Sequence, residues 1–381
     1  MQSRRLHFFF SRLALPLCAL LAGCAGPGYY LQAINGQLGV MQRTRPIDAI
    51  LHDPASDPAL KKRLAYVLKA RAFASRELAL PENRSYRRYA DLQRPYVTWS
   101  VYATPELSLQ PLRWCFPVAG CVAYRGYFSE QRAQDFAAQL QKDGHDVYVA
   151  GVAAYSTLGW FSDPLPSPVL RRSDVEVAGV IFHELAHQAL YLRGDSTFNE
   201  SFAMTVEIEG VRRWLQAECT PSDCMPSAQT QPLQDYLQEK QRHEAYVGLL
   251  LKHRARLQAL YASSLPDADK RARKAQVFRE LKLDYQTLKL GWGGYSGYDR
   301  WFELSLNNAH LSAIGLYHGY VTAFQALLAT QHGDLPRFYV EAKRLSRLPA
   351  RERTDELRAL ACEGQGGLLP TEAMSAGSAG C

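Results

Sequence analysis

Apolar residues recur at intervals of three and four positions along most of the chain, a spacing typical of amphipathic α-helices. The first such segment covers Tyr29 to about Ala79, where two Asp-Pro pairs divide it. Two further helices are predicted from Asp174 to Arg193 and from Phe198 to Ala217, with a Gly-Asp-Ser-Thr segment between them that ends one helix and starts the next. Beyond them, the patterns of Leu233–Ala262 and Asp267–Leu290 predict a long antiparallel helical hairpin.

A different pattern, alternating and rich in β-branched and aromatic residues, occupies the middle of the chain. It predicts strands at Tyr96–Tyr102, Val122–Phe128 and Val147–Val152, with an amphipathic helix at Gln131–Lys142 before the third strand. The stretch Tyr155–Pro168 contains Gly and several Pro, and it predicts an edge strand that leads into a loop. The sequence therefore predicts an α+β fold that is mainly helical and contains a small sheet.

Downstream of the hairpin, a helix that carries Asn307 and Asn308 is predicted to run toward Leu328. No internal repeat divides the chain after residue 23, so we predict one folded unit over residues 24–381. Its parts are an N-terminal helical part (24–95), the sheet with two central helices (96–218), the hairpin (231–290), C-terminal helices (291–362) and a tail rich in Gly, Ala and Ser (363–381).

The composition is that of a globular protein, since 47% of the 381 residues are hydrophobic and 21% are charged. The 44 lysines and arginines exceed the 37 acidic residues by seven. Three of these cations, Arg4, Arg5 and Arg12, lie in the first 23 residues, which contain no acid, so the rest of the chain has an excess of four. Because this surplus is small and spread along the chain, nucleic acid is not a predicted partner. The sequence leaves the oligomeric state open.

The N-terminal segment has the three regions of an export signal. Its arginines precede an apolar run, Leu13–Leu21, that is too short to span a bilayer, and small residues follow the run. The sequence Leu21-Ala22-Gly23-Cys24 resembles the lipobox of bacterial lipoproteins. This resemblance implies removal of residues 1–23 and attachment of lipid to Cys24, and Ala25 in place of Asp favours the periplasmic face of the outer membrane if the source is Gram-negative. An ordinary signal peptide with a chance cysteine is the alternative.

Export would place the remaining cysteines in an oxidising compartment, where disulfides form and persist. Cys18 leaves with the signal, so six cysteines remain beyond Cys24. Sequence neighbours pair most simply as Cys115 with Cys121, Cys219 with Cys224, and Cys362 with Cys381. Spacing alone leaves the other connectivities open, and free buried thiols are the alternative.

One of the predicted helices carries a metal-binding pattern. Within residues 174–193 the chain reads His183-Glu184-Leu185-Ala186-His187, with uncharged flanks. At 3.6 residues per turn the two histidines lie one above the other on one helix face, so both imidazoles can reach one ion. Glu184 is turned by about 100° and can hold a water beside that ion. We expect the small sheet to lie beside this helix. A helix with two structural histidines in the core is the alternative.

Catalytic zinc takes three protein ligands and keeps one position for water, so the site needs a third ligand. Thirteen residues after His187, Glu200 stands in the sequence Asn199–Ala203, which resembles the Asn-Glu-x-x-Ala motif of gluzincin metallopeptidases. The resemblance implies Glu200 as the third ligand. The alternative is a capping box, in which Glu200 turns back to Thr197. Glu207 lies on the same helix face and is either an acceptor for a ligand imidazole or a solvated acid.

The chain from Cys24 onward resembles a bacterial family of predicted aminopeptidase lipoproteins. Besides the lipobox and the metal-binding helix, the resemblance rests on Tyr124–Phe128, Tyr155–Phe161, Asn199–Ala203 and Leu306–Ala309. It implies a zincin-like core with one bound Zn2+ and a peptide substrate. Glu184 would then act as the general base of the hydrolysis.

The residues that contact the substrate are less well defined. Related aminopeptidases of the M1 type bind the substrate amine partly through a Glu upstream of the metal-binding helix, but the segment Leu158-Gly159-Trp160-Phe161 takes that place here. Asp163 is a substitute candidate, and the sequence leaves open whether the chain end or an internal bond is cleaved. Four side chains are candidates for stabilising the oxyanion or contacting substrate: Tyr295, Tyr298, His310 and Tyr317.

Two functions are compatible with these features. The leading interpretation is a zinc-dependent peptidase, an aminopeptidase by resemblance, that is held at the cell envelope by lipid. The alternative is a non-catalytic zinc-binding envelope lipoprotein that binds peptides or acts as a scaffold, with the helical hairpin as its contact surface. Glu184 favours the enzyme, because a scaffold has no need of a general base.

Overall fold

A computed structural model describes residues 26–116, 120–154, 157–158, 161–218, 231–314 and 320–366. Helices make up most of this part of the chain, which confirms the mainly helical α+β fold class. In chain order they are α1 (Pro27–Gln42), α2 (Ile47–His52), α3 (Pro58–Glu77), α4 (Glu130–Lys142), α5 (Asp174–Ala189), α6 (Ser196–Glu218), α7 (Gln231–Ala262), α8 (Asp267–Gly291), α9 (Asp299–Phe302), α10 (Asn308–Ile314), α11 (Val321–Thr330), α12 (Leu335–Arg347) and α13 (Ala350–Gly366).

The strands of the described residues are short and form three small sheets. They are β1 (Thr44–Pro46), β2 (Arg88–Ala90), β3 (Thr98–Pro105), β4 (Trp114–Phe116), β5 (Gly120–Val122), β6 (Arg125–Tyr127), β7 (His145–Val152) and β8 (Leu165–Pro166). The sheet orders are β1-β2-β8, β6-β3-β7 and β4-β5, and all pairs are antiparallel except β2 with β8. Among the described residues of Tyr155–Pro168, the predicted edge strand is confined to the two residues of β8.

The single strand predicted over Val122–Phe128 is wrong, because this segment is shared between two strands. β5 ends at Val122 and pairs with β4, whereas β6 pairs with β3.

The disulfide between Cys115 and Cys121 joins facing positions of β4 and β5 and confirms the first predicted cysteine pair. Cys362 is also disulfide-bonded. The other cysteines of interest, Cys24, Cys219, Cys224 and Cys381, lie outside the described residues.

The helix α5 lies in the main core, and its largest contacts are with other helices. It packs chiefly against α6 and α3, and its residues Ile181, Phe182 and Leu185 are fully buried. The small sheet that contains β8 contributes Leu165 to this core. The longer sheet, β6-β3-β7, packs mainly against α4 and α10 and belongs to a separate apolar cluster. The sheet that shares a core with α5 is therefore β1-β2-β8, and the longer sheet β6-β3-β7 belongs to another core.

The helices α5 and α6 approach closely at two glycines. A Cβ atom at Gly210 would lie 2.8 Å from a side-chain carbon of Phe182, and a Cβ atom at Gly179 would lie 3.2 Å from Oε1 of Glu207. Glycine is favoured where the backbone of one element approaches another this closely. The close approach places the Glu207 side chain of α6 against Gly179 of α5, which lies one helical turn before His183.

Two predicted helix boundaries differ from the structure. The helix α5 ends at Ala189 and not at Arg193, because Leu190 adopts extended φ and ψ angles of −148° and 125°. The helix predicted to carry both Asn307 and Asn308 begins only at Asn308, and it is not continuous to Leu328, since Tyr320 caps α11 with φ −132° and ψ 13°. Asn307 lies before the helix, where its Oδ1 atom accepts a hydrogen bond from the Ala309 amide.

The helices α7 and α8 pack together as the predicted hairpin and share a second apolar core. Polar contacts join the hairpin to the β6-β3-β7 sheet. Lys274 of α8 lies 2.6 Å from the Asp146 carboxylate, which also accepts from the Asn308 amide, and Tyr261 of α7 donates to the Asn308 side chain. Among the described residues, no helix combines the length and apolar composition that crossing a bilayer requires.

Candidate metal centre

The helix that carries the two histidines has a well-defined start. Oγ of Ser173 accepts a hydrogen bond from the Glu176 amide, and the Glu176 carboxylate accepts one from the Ser173 amide, which completes a capping box. Since the core face of this helix is buried from Ala178 to Ala186, the position of α5 is fixed by packing as well as by its cap. His183 and His187 project from the adjoining face as one pair, with ring centroids 4.9 Å apart.

A short connection brings the start of α6 back to the histidines. Asn199 bonds both backbone groups of Leu192: its Oδ1 accepts from the amide at 2.7 Å, and its Nδ2 donates to the carbonyl at 2.8 Å. These two bonds replace the helical hydrogen bonds that Leu192 would have made, which accounts for the early end of α5. Asp195 accepts from the Phe198 amide at 3.0 Å and so caps α6. The capping position is thus occupied by Asp195 and not by Thr197.

With α6 started in this way, Glu200 faces the two histidines. Its carboxylate oxygens lie 3.3 Å from Nε2 of His183 and 3.7 Å from Nε2 of His187. One donor atom from each of the three residues lies within 4.8 Å of the other two. All three side chains are at least three-quarters buried. The structure therefore brings together the three residues that the sequence proposed as ligands.

The chemistry of these donors fits a metal ion. Two imidazole nitrogens and one carboxylate oxygen are a donor set that proteins use for divalent transition metals. A neutral imidazole nitrogen and a carboxylate oxygen are both acceptors, so their approach in this cluster is favourable only when a proton or a cation lies between them. The cluster of His183, His187 and Glu200 could hold a metal ion in that position.

Glu207 fixes the orientation of one of these imidazoles. Its Oε2 atom lies 3.1 Å from Nδ1 of His183, so that nitrogen donates to the carboxylate and Nε2 is directed toward Glu200. The second oxygen, Oε1, accepts from Nζ of Lys240 at 2.6 Å and from the hydroxyl of Tyr236 at 3.3 Å. Of the two possibilities that the sequence left open for Glu207, the geometry is that of an acceptor for the His183 imidazole and not that of a solvated acid.

The surroundings shift the pKa values of the acidic and imidazole groups in different directions. Burial raises the pKa of Glu184 to about 7, and the neighbouring carboxylates add to this effect. Burial lowers the pKa of His187 to about 4. Burial would also lower the pKa of His183, but hydrogen bonds to Glu200 and Glu207 outweigh it and raise that pKa to about 10. The pKa of Glu207 lies below its usual value, because Lys240 and His183 outweigh the effect of burial.

Asp163, the candidate for binding a substrate amine, lies in a structural network. Its carboxylate accepts from the hydroxyl of Thr157 at 2.6 Å and from the amide of the same residue at 2.9 Å. Gln188 of α5 donates to it at 3.4 Å and to Oγ of Ser85 at 3.3 Å. These bonds tie the segment before β8 to the metal-binding helix. The structure thus gives Asp163, which is 2% exposed, a role in positioning that segment.

The other candidates for substrate contact are placed in aromatic clusters. Tyr295 donates to Glu239 of α7 at 3.0 Å, and Tyr298 stacks on Tyr246 of α7 with ring centroids 4.2 Å apart, so both tyrosines contact the hairpin. His310 stacks on Tyr148 at 4.1 Å, and burial lowers its pKa to about 3. Tyr317 lies outside the described residues.

Three residues near the site were not identified from the sequence. Lys240 is one of 44 cationic residues, and nothing in its local pattern indicates that it reaches α6 from the hairpin. Tyr124 and Tyr191 lie near the Glu200 carboxylate. Burial is the main cause of the raised pKa of both tyrosines, and the charge of Glu200 adds to it. Tyr124 does lie in a segment, Tyr124–Phe128, that the family resemblance marks.

Comparison with known proteins places the chain in a family. No curated protein and no solved structure matches the chain. A family model described as "Putative aminopeptidase" matches residues 28–357, a span that contains α5, α6, the hairpin and the cluster of His183, His187 and Glu200. Since this match covers most of the 381 residues, the chain belongs to that family.

Proposed function

We propose that this protein is a zinc-dependent aminopeptidase with a zincin-like core of the gluzincin type. The observation that carries the proposal is the cluster of His183, His187 and Glu200, with Glu184 next to it in the chain. This set matches the two histidines and one glutamate that hold zinc in catalytic sites and leave a position for water. Membership of an aminopeptidase family supports a peptide as the substrate.

Each residue of the site then has a defined task. Bound zinc would lower the pKa of a water toward neutrality and polarise the scissile carbonyl. Glu184 would accept the proton of the attacking water and pass it to the leaving amine, a task suited to a carboxyl group whose pKa is about 7. Glu207 would hold His183 in the tautomer that presents Nε2 to the ion.

Metal analysis combined with Glu184→Gln tests this mechanism. The variant should keep its zinc, because Glu184 is not one of the three ligands, and should lose about 100- to 10,000-fold in peptidase activity. Glu341→Gln, a matched change at a partly exposed acid that pairs with Arg344 on α12, should leave activity unchanged. Peptidase activity that survives in the Glu184 variant would refute the assigned general base.

The ligand set is tested separately. Glu200→Ala should lower zinc content sharply, whereas full zinc content in that variant would refute Glu200 as a ligand. Chelator should abolish hydrolysis, and added zinc should restore it. Comparison of aminoacyl reporters with N-terminally blocked peptides then decides between cleavage at the chain end and internal cleavage. A chain with full zinc content and no hydrolysis of either substrate would favour the scaffold function.

We also propose that the protein is exported and carries lipid on Cys24, at the periplasmic face of the outer membrane if the source is Gram-negative. The support is the signal-like segment before Cys24 and its lipobox-like end. Mass analysis of the N-terminal peptide should find lipid on Cys24 in the parent and none in Cys24→Ala. A parent whose N-terminal peptide carries no lipid mass would contradict lipid attachment at this residue.

A further inference from the structure

The helix α1 packs on the rest of the protein with one face. Gln32 accepts a hydrogen bond from the Phe128 amide through Oε1 at 3.2 Å, and Val40 is 2% exposed. A Cβ atom at Gly36 would lie 2.1 Å from the Phe128 ring, so the helix backbone lies directly on that ring. The spacing of Gln32, Gly36 and Val40 places all three on a single side of α1.

The opposite side of α1 is also apolar and faces solvent. Leu31, Ile34 and Leu38 are 59%, 56% and 51% exposed, and their spacing of three and four residues makes one stripe along the helix. A solvent-facing helix surface normally carries charged residues, but residues 25–42 contain none. No described residue covers this stripe of Leu31, Ile34 and Leu38.

The position of the stripe in the chain indicates what covers it. Cys24 precedes the start of α1 by three residues, a distance of about 10 Å at most when extended. A lipid on Cys24 would therefore hold the first turn of α1 at the headgroups. The next charged residue is Arg43, which is exposed, and its charge suits anionic headgroups just beyond the helix; the charge of Arg45 is paired with Asp53.

We infer that α1 lies on the lipid surface with Leu31, Ile34 and Leu38 inserted between headgroups and acyl chains, as amphipathic surface helices do. This inference rests on the lipid anchor proposed above. The anchor alone would leave the domain free to rotate about Cys24, whereas a second contact along α1 fixes the face that the protein turns toward the membrane. The contact surface is a bilayer and not a second copy of the chain, because the tether already places α1 there.

A binding experiment without the anchor tests the stripe by itself. The Cys24→Ser chain, which cannot carry the lipid, is produced without residues 1–23 and mixed with vesicles of phosphatidylethanolamine and phosphatidylglycerol, and the bound fraction is measured by sedimentation. Replacing Leu31, Ile34 and Leu38 together by Gln should lower partitioning roughly tenfold or more. The control replaces Leu283 and Leu290 of α8, which are 67% and 78% exposed, and should change partitioning by less than about twofold.

A second experiment uses the lipidated protein in vesicles that contain brominated lipid. A tryptophan introduced by Ile34→Trp should be quenched, whereas one introduced by Leu290→Trp should not. Mass analysis of the N-terminal peptide reports the lipid on Cys24 independently, so failure of the anchor and failure of the stripe give different results.

Three outcomes would overturn the inference. Equal partitioning of the triple variant and its parent would show that the stripe does not bind lipid. Equal quenching at positions 34 and 290 would show that α1 does not lie at the bilayer. A parent that forms dimers in solution, ignores vesicles and becomes monomeric in the triple variant would assign the stripe to a second copy of the chain.

Discussion

Replacing Lys240 by Met tests the link between the hairpin and the metal centre. Lys240 reaches from α7 to Oε1 of Glu207, and the other oxygen of Glu207 accepts from Nδ1 of His183. Methionine keeps most of the length and apolar volume of the lysine stem but removes its charge and its donors. The variant would therefore leave His183 as the remaining cationic partner of the buried Glu207 carboxylate in the metal-free protein.

The structure sets the size of the expected effect. Removing one partner from a buried ion pair costs about 3–5 kcal/mol. The Lys240 and Glu207 side chains are 22% and 13% exposed, so water replaces part of the lost interaction. We expect the free energy of unfolding of the metal-free protein to fall by about 2–3 kcal/mol. Since loss of a group that orients a ligand histidine weakens metal binding by about 10- to 100-fold, and Lys240 acts through Glu207, we expect about tenfold weaker binding.

Urea unfolding and metal competition against a chelating dye measure the two effects. The matched control is Lys252→Met on the same helix, where the ion pair with Asp284 has side chains 62% and 40% exposed. This exposed pair should contribute less than about 1 kcal/mol. A double-mutant cycle with Glu207→Gln isolates the interaction, because the Lys240 change should cost little once the carboxylate charge is gone.

Two results would refute this reasoning. One is a Lys240 variant with the unfolding free energy and metal affinity of the parent. The other is a cycle in which the effects of the Lys240 and Glu207 changes simply add. Either result would mean that the contact between the hairpin and α6 does not support the metal centre.

Three further predictions follow from single residues. Arg71→Met should lower the free energy of unfolding, measured by urea titration, by about 3 kcal/mol or more, because the fully buried guanidinium donates to three carbonyl oxygens in residues 81–85. A decrease below about 1 kcal/mol would contradict the importance of these hydrogen bonds. Gly210→Ala should lower the melting temperature, since the added Cβ would lie 2.8 Å from two core side chains and cost about 1–3 kcal/mol of stability. An unchanged melting temperature would mean that α5 and α6 can move apart without cost. Metal binding at pH 7 should release about one proton and should become tighter as the pH rises toward 10, because the pKa of His183 is about 10 in the metal-free protein and a ligand imidazole must be neutral. Calorimetry in buffers of different ionisation enthalpy measures the proton release, and binding without any release would contradict the prediction.

The parts of the fold that depend on local sequence could be predicted. Apolar periodicity gave the hairpin helices to within two residues at each end, since long amphipathic helices are determined by their own pattern. The two histidines of the metal centre follow from a spacing within one helix. Glu200 follows from its place in a short motif, and the Cys115–Cys121 pair follows from nearness in the chain.

The parts of the fold that depend on contacts between distant residues could not be predicted from the sequence. The early end of α5 results from the side chain of Asn199, which bonds both backbone groups of Leu192. Periodicity carries no information about that bond. Contacts between distant residues also explain why the segment Leu306–Ala309 contains two asparagines. Asn307 donates to the Val147 carbonyl, and Asn308 donates to the Glu106 carbonyl, so these residues join α10 to the sheet and need no role in catalysis.

The largest gap between sequence and structure concerns the hairpin. Its charged, regular pattern is that of an appendage, and the scaffold interpretation used it as a surface for partners. In the structure its first turns supply Tyr236 and Lys240 to Glu207, and Glu207 in turn orients His183. The charge of Lys240 thereby offsets part of the cost of burying the Glu207 carboxylate. A chain in which a short loop replaced the hairpin would lose both donors at once and leave Glu207 to bind water or a proton in place of Lys240, so the base of the hairpin belongs to the metal centre.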